Sequence, residues 1–504
     1  MAKQHKQASN FNTGFRDIQN VIRRFNPLSI LREALAYIYS PTKNELEQSS
    51  KQPWLVMLTI QWTFLDPLVK NYPARPDITR KEMLDLLQSV LDLTDTGSMP
   101  DEFDDVRLFM RALAYQQFFH QTDNGLFDLA RQKLLFGKVP ENHYFKKRFL
   151  NRTGVTVDDF LLLAFALLAT VENKGPIVPR PYLFDAIPAI SPMVVDTFLN
   201  LVSVDINNLH HELTVVDTEG RNPDEYLRQT PFLRFPLIKV NAGYWCVSPY
   251  VLARSIGHFI YDLLKRDDVN RFNFPFGKAF EQYVGECINN SGLAYATEKE
   301  IEKELAGEGN LVDFIIADGD VNILVDAKGV EMAQSGMTAL KRGDVRRATK
   351  TSLIKAYEQG HDVAARLSGL KTNHPVIRQR TTTYLLAVTY KELYIGNGLT
   401  LTAMAGDTEL EKIRAIHSED HLIPAANIYF LTISEFEELM SLVSDGSIGL
   451  AQALEMAKKA DSQLPSHKFT FELHINEWLR TKKLAKTHPL KGVLRSMVDD
   501  MRAR

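Results

Sequence analysis

Cysteine is scarce in this chain of 504 residues: Cys246 and Cys287 lie far apart and form no C-x-x-C pair. That excludes a disulfide framework and a cysteine zinc site, and it suits a reducing compartment. Long apolar runs are also missing. The longest, Phe160 to Val171, spans 12 residues, well short of the roughly 20 that cross a bilayer. It reads as a buried helix, with Thr156 and Asp159 spaced for a capping box. The opening residues MAKQHKQASNFNTGF lack the apolar core of a signal peptide, so a cytoplasmic protein with no membrane contact is expected. With a net charge of −3, the chain cannot coat nucleic acid through bulk charge, and any such contact must come from local patches. No fixed-period repeat is visible. A hydrophobic fraction of 45% and a charged fraction of 24% describe an ordinary globular protein. Its length exceeds one ordinary core, so two or three domains are expected.

Residues 1–270 read as a mainly helical region suited to sensing or scaffolding. Helices are expected over Phe15–Tyr39, Trp54–Tyr72, Thr79–Leu93, Val106–Phe119 and Asp158–Glu172, where apolar residues recur at spacings of three and four. A proline- and glycine-rich cluster, residues 175–181, divides them. Residues 235–248 switch to strand composition, with Asn241-Ala242-Gly243 as a hairpin turn, and a helix over Pro249–Lys265 follows. Little here carries chemistry. Asp101, Glu102, Asp104 and Asp105 precede a helix, where acidic residues complement its N-terminal charge, and His210-His211 lacks partners at a metal-binding spacing. Arg266–Arg271 is expected as a charged loop and as the domain boundary.

The informative stretch is Leu311 to Gly329, LVDFIIADGDVNILVDAKG. Apolar residues alternate at 312, 314 and 316 and again at 321, 323, 325 and 327, the period of two strands. Gly319-Asp320 between them is usable two-residue hairpin chemistry. With that loop, Asp313 lies directly opposite Asp326, and Lys328 shares Asp326's face because strand side chains alternate. Like charges facing each other across a ladder are unfavourable, so the pair suggests a bound cation or a shared proton. The alternative is an edge hairpin whose polar face meets water.

The neighbours of this hairpin add to it. In Gly277–Asn290 an apolar stripe of Phe280, Val284 and Ile288 is flanked by Glu281, with Gly277 and Gly285 one turn either side. Helix-interior glycine costs about 1 kcal/mol, which points to close packing. After the hairpin, Val330–Gly343 reads as a polar loop able to act as a lid, and Asp344–Leu367 as one helix. From Lys341 to Lys355 six cations (Lys341, Arg342, Arg346, Arg347, Lys350, Lys355) face one anion, Asp344, a local patch that suits phosphates. Lys355 and Gln359, one turn apart, are placed to point back at the sheet. Further strands are expected at Thr382–Tyr390, Leu393–Ile395 and Asn427–Thr432, then a helix capped by Ser434. His417, Asp420 and His421 share a polar loop without a further ligand. Residues 446–504 read as a helical, basic C-terminal extension (Arg480, Lys482, Lys483, Lys486, Lys491, Arg495) with a frayed end.

The order of a helix with G-x-x-F-E, a strand with V-D-F, a strand with V-D-A-K-G and a basic helix resembles the PD-(D/E)XK, or restriction-endonuclease-like, nuclease superfamily over residues 271–445. Val312 stands where the family places proline, and the second acid is aspartate. The resemblance implies an α+β chain whose 271–445 segment is a mixed central sheet flanked by helices. It implies a Mg²⁺ site, with Mn²⁺ as a substitute, held by Asp313, Asp326 and the backbone carbonyl of Ala327, with Glu281 completing it. Lys328 would orient or deprotonate the attacking water, Lys355 and Gln359 would support the site, and Lys341, Arg342, Arg346, Arg347 and Lys350 would hold the phosphate backbone. The implied function is metal-dependent hydrolysis of nucleic acid, DNA in preference to RNA. Such a fusion is similar to stand-alone bacterial defence nucleases in which the N-terminal half senses a protein trigger. Two alternatives stand beside it: a catalytically silent module that binds nucleic acid or supports assembly, and a chain whose helical half does the recognising while the nuclease is its effector.

Overall fold

The computed structural model describes the chain except residues 1, 44–46, 48–49, 70–73, 97–102, 122–124, 218–219, 306, 464–465, 486–487 and 504, and also except the side chains of residues 2–10, 95–96, 184–186 and 420. Asp101, Glu102, Lys486 and the Asp420 side chain therefore lie outside the described residues. The fold is α+β, with two mixed sheets. Two compact units share the chain: residues 1–101, 113–267 and 490–504 form one, and residues 102–112 and 268–489 the other. The division at 267/268 falls inside the charged stretch 266–271. The expected separate extension 446–504 is instead split between the units at 489/490.

In the first unit, the segment expected as one helix over Phe15–Tyr39 is two, Ala2–Ile22 and Pro27–Ile38. Asn26 stops the first and caps the second, its side chain accepting from the Leu28 N–H at 3.0 Å, with Pro27 at the first helical position. The apolar run sits in Val157–Lys174, whose residues 160–168 are all buried. Thr156 caps it by accepting the Asp159 N–H at 3.0 Å. This unit is less purely helical than its periodicity suggests, because it holds a four-stranded sheet. β1 (Ile177–Pro179), β2 (Ser203–Asp205), β3 (Leu237–Val240) and β4 (Gly243–Cys246) lie in the order β1-β4-β3-β2, with β2 parallel to β3 and the other pairs antiparallel. β1 falls in the cluster expected only to divide helices. At three residues each, β1 and β2 are too short to show alternation. The expected turn is a two-residue loop in which Asn241 takes a positive φ of 53°. His210 is structural, its Nδ1 lying 2.9 Å from the Phe64 carbonyl. The C-terminal end is not frayed over its described part: Lys491–Ala503 is a helix with Met497 buried and Asp500 paired to Lys133 at 2.5 Å. Among the described residues no single helix is long and apolar enough to cross a membrane.

The second unit is built on a five-stranded sheet in sequential order: β5 (Ala294–Thr297), β6 (Phe314–Asp318), β7 (Val321–Lys328), β8 (Thr382–Thr389) and β9 (Ile428–Thr432). β5, β6 and β7 pair antiparallel, then β7, β8 and β9 parallel. Buried residues fill both faces of β7 and β8, as parallel strands with crossover helices require. The charged stretch 266–271 is not an extended loop, since Asp268 alone separates helix Pro249–Asp267 from helix Val269–Asn290 and caps the latter. Pro275 lies inside that second helix.

Other expectations change in this unit. The basic segment is two helices, Arg342–Thr349 and Leu353–Leu367, broken where Ser352 leaves helical backbone at φ −121°, ψ −94°. Residues 393–395 form no strand, Tyr394 holding a positive φ of 49°. Helix Ile433–Ser444 is capped by Thr432, not Ser434, in a reciprocal box with Glu435. The loop after β7 is no free lid. It contains the helical turn Gln334–Met337, buries Met332, Gly336 and Ala339, and is pinned by Arg111. That fully buried guanidinium donates to the Gly336 carbonyl at 2.7 Å and the Leu393 carbonyl at 3.0 Å. Charged-group hydrogen bonds contribute about 1.5–3 kcal/mol each, and orphaned buried carbonyls add a penalty. Arg111→Leu is expected to destabilise the second unit by about 3 kcal/mol in urea unfolding and to speed amide exchange over residues 330–343.

Candidate metal centre

Register places the acids. β6 and β7 pair Phe314 with Val325 and Asp318 with Val321, so Gly319-Asp320 is the hairpin loop, with Gly319 at φ 59°, and the next step outward sets Asp313 across from Asp326. β5 and β6 pair Thr297 with Phe314, and Glu298, which opens the helix Glu298–Leu305 directly after β5, comes to lie beside Asp313. Three carboxyl groups thus gather beside the β5–β6–β7 sheet, Asp326 being close enough for its charge to act on Asp313. Asp313 lies just beyond the ladder, and its Oδ2 accepts the Ala327 N–H at 2.6 Å.

A fourth carboxylate arrives from helix Val269–Asn290. A Cβ at Gly285 would lie 2.9 Å from the Phe314 ring, so only glycine lets the helix come this close to β6. One turn earlier, Glu281 reaches the sheet end. Gly277 plays no such part, since a Cβ there would meet nothing within 4 Å. Ligating oxygens of Glu281, Glu298 and Asp313 lie within 4.8 Å of one another, all three residues half-buried. Among the described residues this is the metal-capable group. Glu281 also accepts from Lys278 Nζ at 3.0 Å.

Asp326, expected as a direct ligand, is not in that set. It is buried, with Lys328 Nζ 2.7 Å from its Oδ2. Lys328 also donates to Gln359 Oε1 at 2.7 Å, while Gln359 Nε2 donates to the Leu311 carbonyl at 2.7 Å. The N–H and C=O of a strand residue share one edge. With its N–H on Asp313, Ala327 therefore turns its carbonyl toward the β6 side, whereas the Lys328 carbonyl accepts from Tyr390 across β8. Lys355 bonds Asn310 Oδ1 at 2.8 Å and Glu358 at 2.7 Å. Of the other cations, Arg342 donates to the Ala403 carbonyl at 2.9 Å and Arg347 pairs with Asp344. Lys341 and Lys350 are exposed and Arg346 half-exposed. The loop histidines form no joint site: His417 Nε2 lies 3.1 Å from Asp362, and His421 contacts Ser418.

The acids crowd each other. Burial first, then the Asp326 charge and more weakly Glu281, push Asp313 up to about 7, against the Ala327 N–H and Lys328. Burial pushes Asp326 up as well, opposed by Lys328 and Lys355. An oxygen-rich, charge-crowded set of this kind fits a hard divalent cation. Glu298 escaped the sequence reading. The signal that finds it is register: it directly follows β5, and only the β5–β6 pairing brings it beside Asp313. No protein-family model, curated protein or solved structure matches this chain.

A carboxyl that holds its proton more tightly folded than unfolded favours the native state in acid, and this contribution fades as pH climbs through the folded value. Metal-free protein is therefore expected to lose stability from about pH 4 to about pH 8, with a shallower slope in Asp313→Asn, as read by urea unfolding. A cation must displace that proton, so Mn²⁺ affinity by calorimetry is expected to rise about tenfold from pH 6 to pH 8. Affinity flat across that range would exclude Asp313 as a ligand.

Proposed function

We propose that residues 268–489 are a Mg²⁺-dependent nuclease domain of the restriction-endonuclease-like type, hydrolysing phosphodiester bonds in DNA in preference to RNA. The carrying observation is the convergence of Glu281, Glu298 and Asp313 within 4.8 Å, beside a buried Asp326–Lys328 pair on the adjoining strand. The helix–strand–hairpin–basic-helix order supports the same reading. Glu281, Glu298 and Asp313 would hold the cation with the Ala327 carbonyl, and Asp326 would join once Lys328 shifts toward substrate. When bound, the cation supplies charge to a phosphate oxygen and a lowered pKa to a water. Lys328 Nζ has three donors, two of them facing Asp326 and Gln359. The third is available to orient the attacking water or a phosphate oxygen. Gln359 positions Lys328. Lys341, Arg346 and Lys350 would steady the phosphate backbone without reading bases.

The test incubates purified full-length protein with plasmid, linear duplex, single strands and RNA in Mg²⁺, Mn²⁺ or EDTA. Cleavage requiring a divalent ion is expected, reduced at least about a hundredfold in Asp326→Ala and Lys328→Ala. Glu298→Gln is expected to weaken Mn²⁺ binding about tenfold by calorimetry, the range seen when residues around a metal are altered. Metal-dependent cleavage that survives both Asp326→Ala and Lys328→Ala would sink the assignment. Nucleic-acid binding without cleavage under every condition would favour a silent module.

A further inference from the structure

Helix Val269–Asn290 carries a stripe that the metal centre does not use. Positions 274, 277, 278 and 281 follow the i, i+3, i+4, i+7 spacing and share one face, so Phe274, Gly277 and Lys278 lead along the surface to Glu281. Phe274 is 75% exposed, whereas Phe272, Phe276 and Phe280 on the same helix are buried. A lone exposed aromatic is unremarkable by itself. This one lies two turns, about 10 Å, from a metal-capable carboxylate, about three stacked nucleotide steps. Between them Gly277, half-buried, adds no side chain, and nothing lies within 4 Å of where its Cβ would stand. Lys278, its side chain 57% exposed, gives one N–H to Glu281 and keeps two further donors.

We propose that Phe274, Gly277 and Lys278 form a landing strip for an unpaired strand, so that the substrate class is single-stranded nucleic acid. This rests on the nuclease reading for its purpose, though not for its measurement. An aromatic face stacks any base without regard to sequence, and a cation beside it takes the adjoining phosphate. Bases inside a duplex are already stacked and offer no face to Phe274. The open space beside Gly277, where any other residue would carry a Cβ, lets the sugar-phosphate chain lie close to the helix on its way to Glu281.

Full-length protein in EDTA is titrated against a fluorescein-labelled 12-nucleotide single strand and the matching blunt duplex, with anisotropy as the readout. A second strand carries 2-aminopurine to report stacking. Phe274→Ala is expected to lose about tenfold to a hundredfold in single-strand affinity, with duplex affinity and Tm unchanged, because the ring is exposed. Phe274→Trp should restore affinity and 2-aminopurine quenching. Phe274→Leu, apolar but without a π face, should not. Wild-type single-strand affinity in Phe274→Ala, full rescue by Phe274→Leu, or a wild-type preference for duplex overturns the proposal. Cleavage is scored in parallel with Mg²⁺. Metal-dependent cleavage with no Phe274 effect on binding overturns the strip and leaves the nuclease standing. Phe274-dependent single-strand binding without cleavage upholds the strip as a binding element and overturns the nuclease.

Discussion

Like charges brought together at the edge of strands repel, and Glu298 after β5, Asp313 before β6 and Asp326 on β7 place three carboxyl groups close to one another. The surroundings answer that repulsion in two ways. At Asp326 the Lys328 ammonium lies 2.7 Å away. At Asp313 the Ala327 N–H covers one oxygen, and the acid holds its proton up to about pH 7 because burial and Asp326 both oppose its charge. A site of this kind costs stability when empty of cations and protons. Its persistence depends on the rigid frame behind it, where Gly285 against Phe314 and Gly360 against Leu385 seat helices closely on the sheet, a Cβ at either falling within 2.9 Å of its neighbour.

Much of this frame is legible in the sequence, and the reason is local. The hairpin's register follows from two glycine-aspartate turn residues plus alternation on both sides, so Asp313, Asp326 and Lys328 can be set together without any tertiary knowledge. Glu281 follows nearly as directly, from a glutamate beside an apolar stripe with glycine one turn on. Glu298 is different. It depends on pairing β5 with β6 across sixteen intervening residues that include a helix, and no turn residue fixes that pairing. The same limit explains β1 and β2, three residues each, and the parallel β2–β3 pair, whose partners lie more than thirty residues apart. The helix breaks at Asn26 and Ser352 leave no trace in the apolar periodicity, which runs on across them. At Asn26 the cap and following proline are visible afterwards as a start signal. Ser352 carries no such mark.

The break at Ser352 has a consequence for charge. A continuous helix would spread Lys341 to Lys355 evenly around one axis. Split in two, the segment assigns Arg342, Arg346 and Arg347 to a short helix and gives Lys355 and Gln359 to the helix that faces the hairpin. The cations thereby separate by role: Lys355 turns inward to Asn310 and Glu358, while Lys341 and Lys350 stay exposed. Part of the positive stripe is spent within the fold, on Asp344 and on the Ala403 carbonyl.

Gln359 ties that inward helix to both arms of the hairpin, and its chemistry explains why an amide suits the position. Its oxygen accepts from Lys328 on β7 and its nitrogen donates to the Leu311 carbonyl just before β6. Glutamate offers no donor when ionised, so it would abandon Leu311. It would also place another negative charge beside Asp326, in a region where burial already opposes ionisation. Lysine would donate to Leu311 and repel Lys328. A neutral group with one acceptor and two donors satisfies both arms without altering the charge balance, so the spacing between Asp313 and Lys328 is set by a helix and not by the carboxylates themselves.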